Sequence, residues 1–304
     1  MPFDAAKALK TTHLTSPKTL VVVGGTTGVG AAVARQFARL GCSRIIIVGR
    51  NAGRANAVLE SCSELAPGSN KIDTQFVQGD ISTRPAMRAC AASVKEAAGA
   101  AKIDYLTYAE NADGDGAAFA VQAISRFIIS QLLVEGGALA PGATVVSVCN
   151  PGNSLDSLKV EDLSLKNASK GYWTTTGFFM AQSLRDSSVI DAFMIEQSKR
   201  FPQFKFFHVH PGLVGDGTFT HDAFPFPLNW VTWLAEKTGF MVGTAPFANI
   251  PVYVALNPDD TEKRIGGRFL NHKFSPAPPG KWAQDEGHRS ALWRKLESMA
   301  KASA

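Results

Sequence analysis

Two sets of residues in this chain have the types and spacing that do chemistry. The first is glycine. Residues 19–30 read Thr-Leu-Val-Val-Val-Gly-Gly-Thr-Thr-Gly-Val-Gly, so Gly24, Gly28 and Gly30 stand in a G-x-x-x-G-x-G spacing directly after an apolar run. A short β-branched strand, Leu20 to Val23, that empties through glycines into a helix from Ala31 to Leu40 is an arrangement that binds a nucleotide pyrophosphate. Gly24 permits the tight turn, Gly28 and the adjoining Val29 bring backbone to the phosphates, and Gly30 lets the helix pack close on the strand. The helix N-terminus adds unpaired N–H groups and the positive end of its dipole. The second set is histidine. His208 and His210 flank Val209, and period-two alternation puts both on one face of a strand. At the carboxyl end of a parallel strand His210 is placed to shuttle a proton near neutral pH, although a strand histidine bonded to neighbouring backbone fits the same pattern. Asp216, in Gly215-Asp216-Gly217, reads as a turn residue, and Cys149 as an inert buried thiol without a visible activating partner.

The alternation of segments supplies a scaffold for these groups. After the first helix, Arg44 to Arg50 reads as a second buried strand, followed by a helix through Leu65 that Pro67-Gly68 ends. Ile72 to Gln78 is a third strand running into Gly79-Asp80-Ile81, and Arg84 to Ala98 is an Ala-rich helix. Ile103 to Tyr108 makes a fourth strand, Ala117 to Glu135 a long helix stopped by Gly136-Gly137, and Ala143 to Cys149 a fifth strand. A loop at 150–170, a helix ending near Arg200, a sixth strand Lys205 to Val209, a short strand around Arg268 to Leu270 and a solvated amphipathic helix, Glu286 to Lys301, complete the chain. Strands separated by helices demand a parallel sheet with right-handed crossovers and helices on both faces, a doubly wound α/β fold of three layers. The 304 residues, 45% of them apolar, suit a single domain. Within it, about 18–215 form the nucleotide-binding and catalytic core, about 216–250 a substrate lid, and about 251–304 a C-terminal strand and helix.

Composition narrows the partners. A net charge of only +5, with Lys and Arg scattered, argues against nucleic acid. Cys42, Cys62, Cys90 and Cys149 lie far apart with no C-x-x-C pair, so neither a metal site nor a disulfide framework is expected. The first residues carry no apolar leader, and no stretch approaches the roughly 18 continuous apolar residues that cross a bilayer. The expectation is a cytoplasmic protein with reduced thiols and no transmembrane segment.

Taken together, the V-V-V-G-G-T-T-G-V-G start, the I-V-G-R-N end of the second strand, the G-D-I-S after the third, the I-D-Y-L of the fourth, the S-V pair of the fifth and H-P-G-L-V after the sixth resemble the short-chain dehydrogenase/reductase superfamily. Within it the chain is similar to the divergent oxidoreductases common in filamentous fungi. The likeness extends from Lys18 to about Arg294 and implies a Rossmann-like fold. It also implies that Thr26 and Thr27 touch the adenosine ribose, that Asp80, next to Ile81, accepts a hydrogen bond from the adenine amine, and that Pro211 and Gly212 pack near the nicotinamide. Val214 follows as a backbone contact to the carboxamide. Arg50, followed by Asn51, stands at the tip of the second strand where an Asp or Glu would bond the ribose hydroxyls of NAD. A cation there suits the extra phosphate of NADP.

The catalytic half departs from the family pattern. Its reductases use a Tyr as general acid/base, a Lys four residues later and a Ser at the end of the fifth strand. A tyrosine with an unperturbed pKa of about 10 needs the neighbouring ammonium to work near neutral pH. Here Tyr172 is the sole candidate, and Thr176, not Lys, stands four residues after it. Counting back from Pro211-Gly212 by the family's spacing places Phe179 and Ser183 at the Tyr and Lys positions instead. The family's Ser falls near Asn150 or Cys149, with Ser147 earlier on the strand, and Asn111 stands near the end of the fourth strand in a shifted register.

The stretch Phe219 to Phe247 carries Phe219, Phe224, Phe226, Trp230, Trp233, Phe240 and Phe247. As a lid, these aromatics imply a bulky apolar small-molecule substrate such as a polyketide or terpenoid, and packing on the core or a subunit contact fits them equally. Three functions remain in view. The first is an NADP-dependent reductase or dehydrogenase of a hydrophobic carbonyl or alcohol, in secondary metabolism. The second is a non-redox cyclase, isomerase or dehydratase with or without the nucleotide, and the third an NADP-sensing regulatory protein. The resemblance further implies a homodimer or homotetramer.

Overall fold

The computed structural model describes residues 3–68, 71–110, 118–166, 175–212, 214–215, 230 and 242–301. After a short helix α1 (Ala5–Leu9), strands β1 (Thr19–Val23), β2 (Arg44–Gly49), β3 (Asp73–Gln78), β4 (Ile103–Tyr108), β5 (Leu139–Val148) and β6 (Lys205–His210) form a sheet. They alternate with helices α2 (Gly28–Arg39), α3 (Ala52–Glu64), α4 (Arg84–Ala98), α5 (Ser125–Glu135) and α6 (Thr175–Arg200). The two-residue strands β7 (Val214–Gly215) and β8 (Val242–Gly243) pair with each other. Helices α7 (Thr244–Leu256) and α8 (Pro258–Ile265), strand β9 (Phe269–Asn271) and helices α9 (Lys281–Gln284) and α10 (Glu286–Lys301) follow.

The main sheet has seven strands in the order β3-β2-β1-β4-β5-β6-β9, and every pairing is parallel. All five residues of β1 are buried, because helices cover both faces. Leu20 and Val22 face a core shared with Phe37, Val146, Phe207 and Phe247, whereas Val21 and Val23 face one shared with Met87, Phe127, Ile190 and Trp293. The register aligns Val48, Val23, Tyr108, Ser147, His208 and Phe269 in one row near the carboxyl edge. That row faces the second core, on the side covered by α5, α6 and α10.

Besides β5, which starts at Leu139 and not Ala143, and the unforeseen helices α7 and α8, three elements differ from the sequence expectation. Helix α2 starts at Gly28, not Ala31, so Gly28, Val29 and Gly30 form its first turn. The long helix predicted to Glu135 opens with a π-helical turn, Ala120–Ile124, before α5, an irregularity that π turns often introduce beside functional residues. Helix α10 is not a solvated end: Leu292, Trp293 and Leu296 are buried, and Trp293 meets Phe127 edge-on at 5.1 Å between ring centroids. Among the described residues no helix is long and apolar enough to cross a membrane.

Candidate cofactor and catalytic site

The strand order reverses direction between β1 and β4, and the carboxyl end of such a switch point is where doubly wound sheets bind ligands. The glycine turn sits there. Gly24 has φ +79° and Gly28 φ +57°, a region that side chains disfavour. A Cβ on Gly24 would lie 2.6 Å from the Glu110 backbone, and one on Gly30 only 2.3 Å from the Gly24 carbonyl oxygen. Glycine at these two positions therefore lets three backbones converge. Gly24 and Gly25 donate their N–H groups to the Val48 carbonyl, at 3.0 and 3.3 Å, which pins the turn to β2. Thr27 is the extended N-cap of α2, and its side chain does not cap the helix. The first intrahelical bond is Ala31 N–H to Thr27 carbonyl, so the amides of Gly28, Val29 and Gly30 end the helix without intrahelical acceptors. A cradle that a Cβ would fill, backed by these amides, fits a pyrophosphate.

Thr26 packs over the end of β2, where a Cβ on Gly49 would meet its methyl at 2.4 Å. The next residue, Arg50, is exposed beside the cradle, and its carbonyl accepts a 3.3 Å hydrogen bond from Gln78 Nε2. Asn51 acts on the fold, since its Oδ1 accepts the Arg54 N–H at 2.9 Å and caps α3. Exposed Asp80 holds its own turn by accepting the Ser82 N–H at 3.0 Å, and Ile81 is buried.

Behind the strand ends lies a charged cluster that sequence reasoning misses. Glu110 follows β4, directly under Gly24, and is 6% exposed. Arg126 on α5, 1% exposed, makes an ion pair through Nε with Glu110 Oε1 at 3.2 Å. It donates from Nη2 to the Glu110 carbonyl at 3.3 Å and from Nη1 to Ser147 Oγ at 2.5 Å and the Val148 carbonyl at 3.0 Å. One guanidinium thus joins the carboxyl ends of β4 and β5. Burial lifts the Glu110 carboxyl to about 7 against the pull of Arg126, and its Oε2 has no partner among the described residues. Ser147, a candidate for the substrate-facing hydroxyl, is instead buried and held from behind by Arg126.

The face of α6 turned to the sheet carries a polar stripe of Ser183, Asp186, Ser187 and Asp191. Asn150 Nδ2 donates to Ser183 Oγ at 3.3 Å, so the residue at the spacing-derived Lys position does meet the end of β5, as a neutral hydroxyl. Asp186 pairs with Arg185 Nη2 at 2.8 Å, and burial lifts its carboxyl to about 6. Asp191 is fully buried: Oδ1 meets His208 Nδ1 at 2.7 Å, and Oδ2 accepts the N–H groups of Gly152 at 3.0 Å and Gly280 at 2.9 Å. His208 is therefore interior structure, held below the ordinary histidine range by burial. Cys149 lies beside this cluster with its thiol pushed up to about 11 by burial, too high for a nucleophile at neutral pH.

His210 ends β6 and is half-buried. Its Nδ1 accepts the Gly212 N–H at 3.1 Å, a backbone bond of the kind the sequence allows, which assigns the proton of the neutral ring to Nε2. Burial, then the neighbouring His272 and His208, lower its pKa. Gly212 has φ +69°, and a Cβ there would lie 2.7 Å from His272 Nδ1. Half-buried Pro211 links His210 to this turn, and Val214 in β7 packs against the first core. Tyr172, Asn111 and Asp216 lie outside the described residues, as do Phe219, Phe224, Phe226, Trp233 and Phe240. Trp230 is exposed and Phe247 is buried in α7, so the end of the aromatic stretch is core.

Comparisons with known proteins agree with this geometry. The profile of the short chain dehydrogenase family matches residues 18–125. Oxidoreductase AN1596 of Emericella nidulans is 28% identical over 232 residues, 71% of this chain but 65% of that protein, so the match spans just under two thirds of the relative. The polyprenol dehydrogenase of Mus musculus is 25% identical over 90% of this chain and 81% of its own length. Among solved structures, the angucycline C-6 ketoreductase LanV with bound NADP superposes with a TM-score of 0.60 at 16% identity, covering 88% of this chain and 98% of that one. The MalC reductase/Diels-Alderase of Malbranchea aurantiaca gives 0.61 at 16% identity, covering 86% and 96%. The chain is thus similar to short-chain dehydrogenases over residues 18–125, and its seven-stranded parallel sheet shares the fold of the reductases it superposes on.

Proposed function

We propose that this protein is an NADP-dependent reductase of a bulky, apolar carbonyl compound, of the kind handled in polyketide or terpenoid metabolism. The observation that carries the reading is the cradle formed by Gly24, Gly28 and Gly30. Arg50 beside it favours NADP over NAD, because a cation at the tip of β2 suits a ribose phosphate. The apolar substrate draws support from the aromatic stretch and from similar proteins named for polyprenol and angucycline chemistry.

A nicotinamide bound there supplies the hydride that adds to the carbonyl carbon. Gly28, Val29 and Gly30 would hold its pyrophosphate, Thr26 and Thr27 the ribose, and Pro211, Gly212 and Val214 the ring end. His210 presents a fixed Nε2–H that hydrogen-bonds the carbonyl oxygen. As the C=O electron pair moves onto that oxygen, the Nε2–H stabilises the developing alkoxide by its hydrogen bond, and a proton from solvent completes the alcohol. Asn150 and Ser183 form the polar floor beside it. Tyr172 is the alternative donor.

Titrating NADPH while following nicotinamide fluorescence, then its oxidation across a panel of polycyclic and isoprenoid ketones, tests the reading. Binding with turnover, lost in His210→Gln and kept in Tyr172→Phe, supports His210 as donor. The reverse pattern transfers the role to Tyr172. Failure of NADPH to bind refutes the assignment. Binding without turnover on any ketone favours the non-redox alternative, for which the neutral Asn150–Ser183 contact in place of an ammonium is the supporting observation.

A further inference from the structure

Beside His210 stands a second imidazole that neither the fold nor the comparisons assign. β6 and β9 run in register with His210 opposite Asn271, so His272, the next residue, arrives at the same strand ends. The two ring centroids are 6.2 Å apart with planes inclined by 48°. His272 rides on a stiff loop: Asn271 Oδ1 accepts the N–H groups of Lys273 at 2.9 Å and Ser275 at 3.2 Å, and Phe274 is buried beneath. The turn at Gly212 lies against the face of its ring, and its Nδ1 is buried without a hydrogen-bond partner among the described residues. A proton on that nitrogen would be buried and unpaired, so the neutral ring carries it on Nε2. His210 is thus fixed in its tautomer by the bond to Gly212, and the face of the His272 ring lies against the same turn.

Resting on the carbonyl-reductase reading above, we propose that His272 is a second hydrogen-bond donor to the substrate, so that one carbonyl or alkoxide oxygen sits between Nε2 of His210 and Nε2 of His272. An oxygen about 2.9 Å from each nitrogen lies about 4 Å from each centroid. With the centroids 6.2 Å apart, it would subtend roughly 100°, close to the spread of its lone-pair directions. Two imidazole N–H groups meeting at one oxygen would form a hole for developing negative charge, built from side chains at two strand ends. The charged or titratable neighbours of the pair are His208 behind His210 and Lys273 beside His272. Both rings are held below the ordinary histidine value, chiefly by burial, and serve as neutral donors at pH 7.

The test uses the whole protein labelled with 15N on histidine and sodium acetate as probe, its carboxylate oxygen standing in for the alkoxide. At pH 7 acetate is expected to shift the Nε2 resonances of both His210 and His272. His272→Phe should weaken acetate about tenfold, the equivalent of one good hydrogen bond, and lower kcat for ketone reduction by a similar factor. His272→Gln, which keeps a donor, should recover part of both. NADPH affinity should be unchanged in both variants, which also reports that the cradle remains folded. An acetate shift confined to one ring, or equal acetate affinity in wild type and His272→Phe, overturns the proposal. Failure of NADPH to bind the wild-type protein overturns the reductase reading instead, and the acetate result then judges the histidine pair alone.

Discussion

Arg126 Nη1 donates to Ser147 Oγ at 2.5 Å, with both side chains inside the protein. The same guanidinium pairs with Glu110 and caps the Val148 carbonyl, so a single cation organises the ends of two neighbouring strands. Ser147 thus serves as a buried anchor for Arg126.

Removing the cation therefore leaves a buried carboxyl and a strand-end carbonyl unsatisfied. Arg126→Met is expected to destabilise the fold by about 3–5 kcal/mol, the range for breaking a buried ion pair. Ser147→Ala should cost only about 1–3 kcal/mol, as one hydrogen-bond partner is lost. Urea unfolding of both variants measures the difference, and equal losses would contradict the arrangement.

Glu110 gives stability a pH dependence of definite sign. Its folded carboxyl lies at about 7, above the ordinary 4.5, so the folded state binds the extra proton between those values. Its contribution is full below pH 4.5 and is lost as pH rises through 7. Relative to wild type, Glu110→Gln should become progressively more stable from about pH 5 to about pH 8, whatever its offset at any one pH. Thermal melts across that range check the slope.

At the cradle, Gly30→Ala puts a methyl 2.3 Å from the Gly24 carbonyl oxygen, and backbone must move to admit it. The substitution should cost about 1–3 kcal/mol by overpacking and weaken NADPH by roughly tenfold or more, read by melts and by nicotinamide fluorescence.

Arg50→Glu tests cofactor choice. Reversing the charge at the tip of β2 should weaken NADPH by roughly tenfold or more and leave NADH nearly unaffected, raising the NADH to NADPH preference. An unchanged ratio would remove Arg50 from the ribose site.

Much of the fold is legible in the sequence because its signals are local. The apolar run at Leu20 to Val23, the glycines after it and the repeated strand–helix alternation each reveal themselves within a short window, and β1 through β6 lie where those windows put them, except that β5 begins at Leu139, four residues early. The start of α2 escapes such a window because glycine is a poor helix former, yet here Gly28 and Gly30 are needed in the first turn for close approach. The charged interior is hidden for a different reason. Arg126 sits in an apolar helix, and its partners Glu110 and Ser147 come from separate strands, so nothing along the chain marks them as a set. Ser183 is reached by counting from Pro211, whereas His272 lies after a three-residue strand with no periodic cue and becomes visible only when β9 is seated beside β6.

The carboxylate of Asp191 grips both the loop leaving β5, at Gly152, and the approach to α9, at Gly280. The segment that follows β9 is for that reason part of the foundation of the carboxyl edge of the sheet. That one carboxylate ties the loop carrying Asn150 to a segment more than a hundred residues further along the chain, so the two are set in place together.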